Sequence, residues 1–133
     1  HRGHDLIDTG SPHYVIHVEN TESIDVIGQG QAIRYDKHIA QDGVNVNFIH
    51  LGANQQIYIR TYERGVENET LACGTGSVAA AISAHLKHPS DKSSYILHAP
   101  GGDLQVHFDK QNNHTFTNIW LTGPAEFVYE GWR

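Results

Sequence analysis

Apolar residues in this chain fall in short runs, broken every few positions by Gly, Asn, Asp or Pro. The stretch 14–18, Tyr-Val-Ile-His-Val, is aromatic and β-branched and predicts a strand. Residues 44–51 and 56–62 predict a hairpin around Gly52-Ala53-Asn54-Gln55. In its second arm Ile57, Ile59 and Thr61 alternate with Tyr58, Arg60 and Tyr62 at period two. Strands are also expected at 95–99, 104–108, 116–121 and 125–129, and a short helix at 27–35, interrupted by Gly28 and Gly30. One segment carries a full helical pattern, 75–87, built on Ser77-Val78-Ala79-Ala80-Ala81-Ile82-Ser83-Ala84. Lys87 and His88 complement the dipole at its C-terminal end, and Pro89 stops it. This helix is apolar or small on nearly every face, which predicts burial. One buried helix among many short strands predicts an α/β (α+β) fold, an antiparallel or mixed β-sheet wrapped around a central helix.

Composition narrows the partners. With 133 residues, the chain suffices for one domain with a core. No apolar run is long enough to span a membrane. The formal charge is −6, and the nine Lys and Arg residues are scattered, so no nucleic-acid partner is expected. A single Cys allows neither an internal disulfide framework nor a Cys-rich zinc site, and fits a cytoplasmic location. Among eleven His, His13 and His17 have metal-ligand spacing, but a strand does not converge residues four apart as a helix does; no metal is expected. Gly28-Gln29-Gly30 lacks the third Gly of a phosphate loop. Met is absent from the chain, which leads us to expect a fragment or a processed product.

Candidate chemistry gathers before the 75–87 helix. The sole Cys sits in Leu71-Ala72-Cys73-Gly74-Thr75-Gly76. The first amides of a helix have no internal partner and together carry about half a positive charge, so they can hold a carboxylate and favour a thiolate. Lowering a thiol pKa from about 8.5 to about 7 takes roughly 2 kcal/mol, within reach of a partly buried helix terminus. Upstream, Thr61-Tyr62-Glu63-Arg64-Gly65 ends a strand; Arg64 offers a planar fork for a carboxylate, and Glu63 an acceptor for an ammonium. His13 follows the loop Thr9-Gly10-Ser11-Pro12 and could orient or deprotonate a catalytic group. Asn45 is unusual in a β-branched strand and would need a partner if buried.

Thr9-Gly10-Ser11-Pro12-His13, Val44-Asn45-Val46-Asn47-Phe48, Tyr62-Glu63-Arg64-Gly65 followed by Glu69-Thr70-Leu71-Ala72-Cys73-Gly74-Thr75-Gly76, and Gly123-Pro124-Ala125-Glu126 together resemble diaminopimelate epimerase over nearly the whole chain. The resemblance implies that residues 1–133 form the C-terminal domain of a two-domain enzyme whose active site lies between the domains. That enzyme would interconvert LL- and meso-diaminopimelate without cofactor, one thiolate removing the α-proton and a second thiol protonating the opposite face. Cys73 then matches the second-domain acid/base, and Gly74 and Thr75 the groups holding the substrate α-carboxylate. Glu63 and Arg64 match substrate-binding residues, Glu63 and His13 residues beside the thiols, and Asn45 a contact to the distal end of the substrate. Ser11 stands where many members carry Asn and is carried over as a substrate contact. The first-domain Cys-Gly-Asn motif is absent. The implied partners are the substrate, the N-terminal domain, and a second copy if the enzyme is a homodimer; the fragment alone is expected to be inactive. Three alternatives share features with it. Proline or hydroxyproline racemase has a similar Cys-Gly-Thr-Gly element, but Tyr-Glu-Arg-Gly favours the epimerase. A cysteine-nucleophile hydrolase would use Cys73 and His13. A non-catalytic amino-acid-binding module is the third.

Overall fold

The computed structural model describes residues 4–71, 74–90, 92–112, 115–122 and 128–132. Among the described residues, nine strands and two helices follow in the order β1 (His4–Asp8), β2 (Pro12–His17), α1 (Val26–Arg34), β3 (Asn45–Leu51), β4 (Gln56–Glu63), β5 (Asn68–Thr70), α2 (Gly74–Lys87), β6 (Ser94–Ala99), β7 (Gly102–Asn112), β8 (Thr115–Thr122) and β9 (Val128–Trp132). The strands form one mixed sheet in the order β1-β2-β3-β4-β6-β7-β8-β9, with β5 added to β4. β2 runs parallel to β3, and β4 parallel to β6; the other pairs are antiparallel.

The sheet curls around α2, whose residues from Gly76 to His85 are all buried. Val78, Ala79, Ala80, Ala81, Ile82 and Ala84 meet Val15, Ile49, Ile57, Ile59, Leu97 and Val106 in the main core. Small side chains let the curled strands approach the helix from several sides, which a Leu-rich helix would not allow. α1 covers the opposite face, where Val26 joins Val44, Val46, Phe48 and Tyr62 in a second cluster. β3 is therefore buried on both faces: Val46 and Phe48 turn toward α1, and Asn45, Asn47 and Ile49 toward α2.

The central buried helix and the β3–β4 hairpin match the sequence pattern. Asn54 and Gln55 take left-handed φ of 58° and 63° in the connecting turn. The strand expected at 14–18 starts earlier, at Pro12, because it pairs back onto β1, which the pattern did not show. β5 was also not expected; its Asn, Glu and Thr carry little strand propensity, and pairing with β4 imposes the conformation. The strand expected at 125–129 overlaps β9 at residues 128–129, while 125–127 lie outside the described residues.

The helix expected at 27–35 is α1, and its glycines have distinct reasons. Asp25 caps it, its Oδ1 accepting from the Gly28 amide at 3.0 Å. A Cβ on Gly30 would lie 2.5 Å from the Cβ of buried Tyr62. Gly→Ala inside a helix ordinarily stabilises by about 1 kcal/mol. Here Gly30→Ala should destabilise by about 1–3 kcal/mol through overpacking. Urea unfolding measures it, and an unchanged or raised midpoint would show that helix and strand separate easily.

Candidate functional site at the amino end of the central helix

Ser11, His13 and Thr75 meet where the β1–β2 turn crosses the start of α2. Gly10 takes a φ of 103° to make that turn, and buried Thr9 donates its hydroxyl to the Thr75 carbonyl at 3.0 Å. Pro12 opens β2, so alternation turns His13 inward with Val15. The His13 Nε2 lies 2.9 Å from Thr75 Oγ1 and 3.2 Å from Ser11 Oγ. Its Nδ1 lies 2.9 Å from Asn47 Nδ2, and Asn47 Oδ1 accepts from the Thr61 hydroxyl at 2.8 Å. The imidazole is fully buried. Burial lowers its pKa to about 4; the Arg64 charge works in the same direction and Asp8 against it. His13 is thus a neutral imidazole near pH 7, suited to orienting a neighbour rather than storing a proton.

Asn45 connects the two loops that border this corner. Its Nδ2 donates to the Pro12 carbonyl at 3.1 Å, and its Oδ1 accepts from the Arg64 amide at 2.8 Å. The Arg64 side chain is half-buried and donates from Nη1 to the carbonyls of Asp42 and Gly43. That leaves most of its five N–H donors for a ligand. Glu63 ends β4 on the face shared by Ile57, Ile59 and Thr61, and its carbonyl accepts from the Glu67 amide at 2.8 Å.

The loop carrying Arg64 is clamped from behind. Glu67, at a left-handed φ of 59°, accepts from the Gly65 amide, the Tyr62 hydroxyl and the Nε and Nη2 of Arg34. The Gly65 amide above all, then Arg34 and Tyr62, hold the Glu67 carboxyl below the usual carboxylate range. Burial and Glu67 together raise the Tyr62 hydroxyl above its ordinary value.

Ser11, His13, Thr75, Asn45 and Arg64 therefore come to one corner as the sequence suggests, with Gly74 opening α2 beside them. Cys73 lies outside the described residues, as do 123–126. The sequence reading passed over Asn47 and Thr61 as site residues. A second Asn two positions from Asn45 on the same strand face was the available signal for Asn47. Nothing in the sequence pattern points to Glu67, whose Arg34 partner sits on a different element. Among the described residues, no three His, Cys, Asp or Glu side chains gather as a metal site, and no helix is long and apolar enough to cross a membrane.

This corner coincides with a known sequence family. Residues 6–128 match the family model described as diaminopimelate epimerase. The chain belongs to the diaminopimelate epimerase family. The diaminopimelate epimerase of Flavobacterium psychrophilum is 45% identical over 98% of this chain and 50% of its own length. That of Chlorobaculum tepidum is 44% identical over 95% of the chain and 48% of its own length. The chain spans about half the length of the curated relatives it matches. Among solved structures, a phenazine biosynthesis protein of the PhzF family from Enterococcus faecalis superposes with a TM-score of 0.60 at 16% identity, over 88% of this chain and 39% of that one. A hydroxyproline epimerase from Agrobacterium vitis gives 0.59 at 12%, over 86% and 38%. At these identities the structural likeness establishes the shared fold, and membership of the epimerase family rests on the sequence.

Proposed function

We propose that this chain forms one side of the active site of a diaminopimelate epimerase, a cofactor-independent isomerase acting on LL- and meso-diaminopimelate, with Cys73 as one of two opposed acid/base groups. The observation that carries this reading is the meeting of Ser11, His13 and Thr75 at the start of α2, immediately after Cys73 in the chain.

An α-proton of an amino acid is only weakly acidic, so its removal needs stabilisation of the negative charge that develops toward the carboxylate. The Gly74 and Thr75 amides at the helix start supply fixed donors where that charge grows. They also favour the thiolate of Cys73 over the thiol. Ser11 adds a hydroxyl, Arg64 a cation with donors to spare, and Glu63 an acceptor for the ammonium group. Asn45 has a second amide hydrogen for the distal end of the substrate, beyond the one given to Pro12. His13 orients the first turn of α2 through Thr75. Cys73 can reach only one face of the α-carbon; inversion needs a second group opposite, which a facing N-terminal domain would supply.

The test follows the α-proton. Incubated in D₂O with LL-diaminopimelate, the intact protein should form the meso isomer with deuterium at the inverted carbon. Exchange and inversion confined to proline or 4-hydroxyproline would assign the racemase activity instead, and no exchange with either class would leave only a binding module.

A further inference from the structure

We propose that Asn47, held by Thr61 and admitted by Gly76, is a positioning residue that fixes the His13 imidazole as its Nε2–H tautomer and aims that proton at the Thr75 hydroxyl. The functional consequence rests on the reading of this helix end as the reaction site; the tautomer itself does not.

Four buried or half-buried polar groups form a one-way chain. The Thr61 hydroxyl donates to Asn47 Oδ1 at 2.8 Å, which leaves the Asn47 nitrogen facing His13 Nδ1 at 2.9 Å. Asn47 and Thr61 are directly paired across β3 and β4, so backbone register sets this contact. An amide nitrogen has only hydrogens to offer, so Nδ1 must present its lone pair. A neutral imidazole carries one proton, and it then sits on Nε2, 2.9 Å from Thr75 Oγ1 and 3.2 Å from Ser11 Oγ. Neutrality follows from full burial of the ring. Because the Thr75 oxygen accepts from His13, its own hydroxyl hydrogen is turned away from the ring.

Gly76 fixes which way the Asn47 amide faces. A Cβ there would lie 2.6 Å from Asn47 Oδ1 and 3.3 Å from His13 Cε1, so the helix comes this close only because the residue is Gly. The hydrogen standing in that Cβ position points at an oxygen, a weak C–H···O contact. Turning the amide over would set an NH₂ group against that C–H and reverse every bond in the chain. Asn47 and His13 are both wholly buried, so no solvent competes with the Gly76 contact in setting the direction of the chain.

Nitrogen-15 NMR of the intact protein with labelled histidine reads the tautomer directly, with His13 assigned by its disappearance in His13→Gln. The wild type should show a protonated Nε2 and an unprotonated Nδ1 on His13. Asn47→Asp keeps the shape but has no hydrogen to donate, so it should move a proton onto Nδ1. Should that variant not fold, Thr61→Val removes the bond that orients the amide and should give mixed tautomers. With LL-diaminopimelate, Asn47→Asp should lower kcat by about 10- to 100-fold, as loss of a group orienting a functional His does, and leave KM nearly unchanged. A wild-type His13 protonated on Nδ1, or a tautomer indifferent to both substitutions, overturns the assignment. A tautomer that switches while kcat stays at the wild-type value overturns the positioning role. A wild-type protein with the expected tautomer but no α-proton exchange supports the assignment and overturns the epimerase reading instead.

Discussion

Cys73→Ser in the intact protein should lower turnover by a factor of at least about 10²–10⁴, the range carried by a positioned general acid or base, with diaminopimelate binding largely kept. Ser matches Cys in shape, but its hydroxyl holds its proton far more tightly than a thiol and is almost wholly protonated at neutral pH. The helix start lowers the pKa of either group by a few units at most, enough to bring a thiol near pH 7 and far from enough for an alcohol. The amides of Gly74 and Thr75, the Arg64 side chain and Asn45 remain, so the ground-state complex still forms. The loss belongs in kcat, as for an interaction made only in the transition state. Arg64→Ala should differ in raising KM as well, because its charge meets the substrate before and during reaction. Isomer interconversion with a direct binding titration separates the two patterns. Near wild-type turnover in Cys73→Ser would remove the thiol from the mechanism.

The second large effect is on stability in acid. His13 titrates at about 4 in the folded chain and near 6.5 once unfolded. Between those values the unfolded state binds the extra proton, so stability falls as pH drops through this window. The contribution is fully present above about pH 6.5 and gone by about pH 4, and it corresponds to about 3 kcal/mol for a group this buried. His17 acts in the same direction: burial, with Lys87 and His88 nearby, lowers it to about 4 against the pull of Asp5. Urea unfolding at pH 7, 5.5 and 4.5 measures the slope. His13→Gln, which keeps hydrogen-bonding atoms but does not titrate, should flatten the curve across the window. An equally steep curve in that variant would mean that the folded protein accommodates the His13 proton.

The sequence reading succeeded where one local cause decides the structure. The small, apolar run at 75–87 has one physical solution, a helix buried on all sides, and the structure shows α2. The period-two pattern at 56–62 likewise gave β4 and its inward face. Turn and strand-end signals drew attention to His13, Asn45 and Arg64, and the family resemblance to Ser11 and Thr75; the fold brings all five to one corner. What escaped depends on partners distant in the chain. His4–Asp8 becomes a strand because β2 is there to pair with it. Asn47 reads as one more polar residue until the β3–β4 register places Thr61 opposite and parallel pairing brings His13 alongside. Gly30 lowers the helical score of α1, yet it exists for a contact with Tyr62 on another element.

β2 and α2 run side by side in the same direction, and they are joined at both ends. His13 meets Thr75 at the amino end; eight helical residues later, His17 Nε2 donates to Ser83 Oγ at 2.8 Å, and Ser83 donates to Asp5 on β1. Four steps along a strand cover about 13 Å, and eight along a helix about 12 Å, so the two spans agree. The helix is thereby indexed along its own axis, like a rod pinned at two points to a rail. A slip by one residue would break both pins together. The start of α2 is therefore a fixed wall of its corner, held against sliding along its own axis.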